Sequence, residues 1–97
     1  MSRPPALVRQ LLRALTRSAA ESGCAPTLAH DGETPWASVT FTGARHRVRA
    51  SGDAEALSRW LAMLPEAELP LAGWFVASCA AELAGGDATI ELLVLEQ

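Results

Sequence analysis

His30, Asp31, Glu33 and His46 are the one cluster in this sequence with acid–base potential. An imidazole beside a carboxylate can serve as a general base. Three of the four fall in the stretch "HDGE", and His46 sits in "GARHRVRAS". The histidines approach each other if a short strand near Thr27–His30 pairs with the strand that follows it. The same residues have a plainer use. Asp31-Gly32 is turn chemistry. His46 lies on an apolar parity, where a hydrogen-bonded core histidine is the commoner outcome. Cys24, His30, His46 and Cys79 are the candidate metal ligands, but none shows close ligand spacing of the Cys-x-x-Cys kind. No glycine-rich phosphate loop is present, since Gly85-Gly86 suits a hairpin. The expectation is therefore no catalytic residue, no metal and no cofactor. A small enzyme around His30 and His46 is the third functional reading.

Arg45, Arg47 and Arg49 recur at every second position. With Trp36 as a stacking platform, such a strip could hold single-stranded nucleic acid on an open sheet face. It could equally be the polar face of a strand, met by Glu91 and Glu82 from neighbouring strands. Net charge favours the second use. It is −3, with a pI near 5.2, whereas a dedicated nucleic-acid binder is usually basic. The charge is also split. All eight basic residues are arginines and lie in residues 1–59; residues 60–97 hold acids only.

The elements that must position these groups follow from periodicity. "PALVRQLLRALTRSAAESG" has Leu7, Val8, Leu11, Leu12 and Leu15 at helical spacing. Pro4 and Pro5 suit the first turn, and Gly23 the stop. Arg9, Arg13 and Arg17 make a solvated ridge on this helix. "WASVTFTGARHRVRAS" alternates on both sides of Gly43-Ala44, the pattern of a two-residue hairpin. That register puts Ala37, Val39, Phe41, His46, Val48 and Ala50 on one face. It puts Trp36, Ser38, Thr40, Thr42 and the three arginines on the other. "GDAEALSRWLAMLP" predicts a second helix, capped by Asp53, with Leu57, Trp60, Leu61 and Leu64 buried. The rest, "WFVASCAAELAGGDATIELLVLEQ", predicts a hairpin about Gly85-Gly86. There Phe75, Ala77, Cys79, Ala81, Leu83, Ile90, Leu92 and Val94 share one face. Trp74, Val76, Leu93 and Leu95 lie on the opposite one.

The expected fold is α+β: a two-layer, helix–hairpin–helix–hairpin domain spanning 1–97, with an optional extra strand after the first helix. Two helices would cover one face of an antiparallel sheet. The topology is that of a ferredoxin-like fold with its first strand moved to the C-terminus. The element order is also similar to that of bacterial type III secretion chaperones, without their terminal helix and without a shared motif.

Trp36, Trp74, Val76, Leu93 and Leu95 would then form an apolar patch on the side without helices, rimmed by Arg45, Arg47 and Arg49. Monomers seldom leave such a patch bare. The first functional reading is thus a small non-enzymatic interaction module, homodimeric through that face or covered by another protein. Nucleic-acid binding by the arginine strip is the alternative. Composition adds that the chain is globular: 49% of residues are hydrophobic and 20% charged. Two cysteines among small apolar residues are expected as buried thiols of a cytoplasmic protein. The all-arginine, alanine-rich composition fits a GC-rich bacterial genome, and no membrane partner is expected.

Overall fold

The computed structural model describes residues 5–97; Pro4, expected in the first helical turn, lies outside them. The elements are α1 (Pro5–Glu21), β1 (Thr27–Ala37), β2 (Thr42–Ser51), α2 (Ala54–Met63), a single 3-10 turn (Leu64–Glu66), β3 (Trp74–Ala84) and β4 (Asp87–Glu96). The fold is α+β. Its four strands make one sheet in the order β1-β2-β4-β3, and each neighbouring pair is antiparallel.

The helices form where the periodicity places them. Leu7, Leu11 and Leu15 are fully buried on α1, and Arg9, Arg13 and Arg17 are exposed. The helix stops at Gly23, whose φ of +73° suits glycine. Cys24 N–H donates to Ala19 O and Gly23 N–H to Ala20 O, the paired bonds of a Schellman cap. Asp53 caps α2 by accepting from Ala56 N–H at 2.9 Å. Leu57, Trp60 and Leu64 are buried and Leu61 is partly so. Trp60 Nε1 donates to Ser18 Oγ at 3.0 Å, which ties α2 to α1. Arg59 Nε donates to the Ser22 carbonyl at 3.2 Å, close to the negative end of α1.

One hydrophobic cluster joins both helices to the sheet. It contains Leu7, Leu11 and Leu15 of α1, Leu57 and Trp60 of α2, and Val48, Ile90, Leu92 and Val94 of the central strands. Those strand residues define the core face. Directly paired residues share a face, so the ladder fixes the rest. Arg45 pairs with Leu93, Arg47 with Glu91 and Arg49 with Thr89, and these make up the opposite, arginine face.

Three expectations need correction. First, the β1–β2 turn is not Gly43-Ala44. It spans Ser38–Phe41, where Ser38 Oγ accepts from Phe41 N–H at 3.1 Å and Ser38 N–H donates to Phe41 O at 2.8 Å. A serine hydroxyl that folds back on the chain stabilises a turn without glycine. Val39 and Phe41, expected inside, are exposed at this tip. Ala37 pairs with Thr42, which moves Thr42 off the arginine face. Second, the optional strand is real and longer than expected. Asp31-Gly32 is not its end but a bulge within it, between His30 and Glu33. Third, β3 carries a bulge between Val76 and Ser78. A bulge adds one residue and reverses the alternation beyond it. Trp74 and Val76 therefore pack against the core cluster, and Phe75, paired with Leu95, lies on the arginine face. Cys79 and Ala81, past the bulge, keep the expected inward phase. The second hairpin turns at Gly85-Gly86 as expected, with Ala84 paired to Asp87.

Candidate functional site

Two groupings of side chains stand out, one on each face of the sheet. The first is polar and faces the core. His46 on β2 is 1% exposed, among Val48, Ala44 and the β4 residues. On the edge strand β1, His30 pairs with Val48 and Glu33 pairs with His46. Residues three apart in a regular strand point to opposite faces. The Asp31-Gly32 bulge absorbs the extra residue, so His30 and Glu33 both face His46. Gly32 supports it with a φ of +127°, which a side chain rarely adopts.

The resulting geometry is tight. His30 Nε2 lies 2.9 Å from His46 Nδ1 in a side-chain hydrogen bond, with the rings tilted at 59°. Glu33 Oε1 lies 4.0 Å from His46 Nδ1. One donor atom from each residue falls within 4.8 Å of the other two. Nε2 of His46 is shut off from solvent, while His30 and Glu33 are half-buried. Gly32, Glu33 and His46 border a small cleft at the bulge whose other walls, Thr34, Arg45, Arg47 and Glu91, belong to the arginine face. Asp31 stays exposed on the bulge and is not part of this group.

The cysteines do not join it either. Among the described residues, the one group placed to hold a metal ion is His30, Glu33 and His46. Cys24 is buried and Cys79 half-buried, both as free thiols. Burial pushes the Cys79 thiol up to about 11. Burial raises that of Cys24 too, partly countered by the nearby Arg59.

The second grouping is the arginine face. Arg45, Arg47 and Arg49 are all exposed along β2. Arg47 Nε lies 4.0 Å from Glu91 Oε2, with both side chains more than half exposed. Glu82 pairs with Thr89, which pairs with Arg49, so Glu82 stands two strands from Arg49 on the same rung. One end of the face is apolar. Trp36, Gly43, Leu95 and Phe75 lie on one rung across all four strands. Leu95 is only 4% exposed there. The tip residue Phe41 meets Phe75 edge to face, with ring centroids 5.6 Å apart. Leu93, half-buried, is on the next rung with Arg45 and Ser78.

Of the expected patch, the structure brings Trp36, Leu93 and Leu95 to this face and removes Trp74 and Val76 from it. Phe41 and Phe75 take their place. The β3 bulge left no mark in "WFVASC", so alternation alone could not reveal Phe75. Glycine after aspartate was the visible sign of the β1 bulge, and it suits a turn equally well.

Comparison with family models, with curated proteins and with solved structures finds no match for this chain. Among the described residues no helix is long and apolar enough to cross a membrane.

Proposed function

We propose that the chain is a small interaction module that pairs with a second copy of itself through the arginine face. In this reading the helices cover the core face, and the sheet is a ferredoxin-like one whose first strand has moved to the C-terminus. The strand order β1-β2-β4-β3 supports that topology, as does the single core shared by both helices. The chain carries no catalysis of its own on this account.

The observation that carries the proposal is the opposed placement of charge on one face. Arginines line β2, Glu82 stands on β3, and β4 between them presents Glu91 and the half-buried Leu93. A two-fold interface is self-complementary: each patch must fit its own copy. With the axis along β4, β2 of one copy lies over β3 of the other. Arg49 then meets Glu82 of the second copy, Leu93 meets Leu93, and Glu91 meets Glu91, each carboxylate flanked by Arg47 of its own chain. Stacked sheets pack about 10 Å apart, which these side chains bridge. The interleaved Glu82 and Glu91 also make the face a poor match for nucleic acid, whose phosphates need unopposed positive charge.

Light scattering on the intact protein is the test. The expected mass is that of two chains at micromolar concentration, falling to one chain in Leu93→Arg. A single-chain mass at several hundred micromolar ends the proposal. Titration with a labelled oligonucleotide at low salt is expected to give no binding; salt-sensitive binding would move the function to nucleic acid.

A further inference from the structure

We propose that His30, Glu33 and His46 form a binding site for a divalent transition-metal ion, zinc(II) being the best fit. Two imidazoles and one carboxylate are a donor set that zinc accepts. Zinc bonds to nitrogen and oxygen at about 2.0–2.1 Å, so tetrahedral donors stand about 3.3 Å apart. The observed separations bracket that value. The His30–His46 contact of 2.9 Å must open slightly. The Glu33–His46 distance of 4.0 Å must close by less than an ångström. Rotation of the half-buried Glu33 side chain supplies the second change.

The fold supplies what a metal site needs beyond donors. The β1 bulge brings two ligands from one short stretch onto one face, opposite the third. His46 is fixed by the core with Nδ1 toward its two partners and Nε2 enclosed, so its coordinating nitrogen is already chosen. His30 and Glu33, half-buried on the edge strand, leave the group open to an ion from solvent. Three protein ligands leave a fourth position for water, the open type of zinc site.

The proton accounting is simple. Without metal, one of the two contacting nitrogens carries the hydrogen of the His30–His46 bond. Metal binding needs a lone pair on both. The donating ring must therefore shift its proton to its other nitrogen. Where the donor is His30, which is half-buried, exchange with water moves the proton. Glu33 coordinates as its carboxylate. Binding weakens as pH falls, because both imidazoles must be neutral. The site does not depend on pairing of two copies.

Cobalt(II) is the probe, added to the intact protein after chelator treatment. The expected result is one ion per chain, with the visible absorption bands of tetrahedral cobalt, displaced by zinc. Zinc should also raise the melting temperature. His30→Gln and Glu33→Gln, both on the edge strand, should each weaken binding at least ~10-fold, since even outer-shell changes cost 10–100-fold. The Cys24→Ser/Cys79→Ser double variant should bind as the parent does. The proposal is overturned by the absence of both bands and a melting shift in tenfold metal excess. Undiminished binding in the folded His30→Gln and Glu33→Gln variants, or loss in the cysteine variant, overturns it equally.

Discussion

His30 Nε2 and His46 Nδ1 sit 2.9 Å apart across the β1–β2 ladder, one ring half-buried and the other enclosed by the core. The bond joins an edge strand to a buried polar side chain of a central one. Its loss should be felt as stability. In chelator, His46→Ala is expected to destabilise the fold by about 2–4 kcal/mol, combining a cavity with a lost bond. His30→Ala should lose about 1 kcal/mol. A double-mutant cycle in urea should return a coupling of roughly 0.5–2 kcal/mol. Strictly additive effects would mean that the bond contributes nothing in solution.

Gly43 is held to glycine by close approach rather than by backbone angle. A Cβ built there runs into the Val94 carbonyl oxygen and stands 2.8 Å from Leu95 Cα. Both are backbone atoms of the central strand β4, which has little room to shift. Gly43→Ala is therefore expected to destabilise by about 3 kcal/mol through overpacking. Ala44→Gly next to it, which removes one buried methyl and adds backbone freedom, should lose about 1–2 kcal/mol. Equal midpoints for Gly43→Ala and the parent in a denaturant titration would refute the close approach.

That glycine also shows what was legible in the sequence. Its neighbours alternate, so "TGARHRVRA" revealed a strand with arginines on one parity and His46 on the other. Alternation could not say where the turn fell, because glycine serves turns and tight packing alike. Ser38, which makes the turn, resembles any polar strand residue until its hydroxyl is seen folding back on Phe41. The helices were readable end to end, since leucine spacing, Asp53 and Gly23 all act locally. The two bulges were not. Each rests on how an edge strand meets its neighbour, and one unpaired residue reverses the side chains beyond it. Trp74 thus entered the core and Phe75 left it. The proximity of His30 and His46 was foreseeable only as a consequence of β1 pairing with β2. The inclusion of Glu33 depended on the bulge.

The cysteines should behave as packing groups. Burial moves the Cys79 thiol from an ordinary 9.0 to about 11. The thiolate, not the thiol, attacks iodoacetamide and displaces iodide, so native protein at pH 8 should react many times more slowly than protein in urea. The sign for stability follows from linkage. A raised pKa favours the neutral thiol in the folded state. Its contribution is complete below pH 9 and is lost as pH rises from 9 toward 11. Urea midpoints should fall across that window, and less so in Cys79→Ala. Rapid labelling of the native Cys24→Ser variant at pH 8 would place Cys79 in an open, mobile segment.

The charge rows make the strictest test of self-pairing. Within one chain Arg49 and Glu82 are two strands apart, about 9.6 Å at normal strand spacing, and form no direct pair there. Across a two-fold axis along β4 they face each other. Arg49→Glu sets glutamate against Glu82 of the second copy, and Glu82→Arg sets arginine against Arg49. Each alone should weaken pairing by roughly tenfold, about 1.4 kcal/mol, shared between two symmetric contacts. The double variant restores opposite charges with their positions exchanged, and should pair within about threefold of the parent. Nearby pairs within one copy, such as Arg47 with Glu91, are exposed and worth at most about 1 kcal/mol, so they cannot imitate the rescue. Sedimentation equilibrium at two salt concentrations measures all four proteins. A double variant that dissociates as readily as either single one would place the axis elsewhere or remove it.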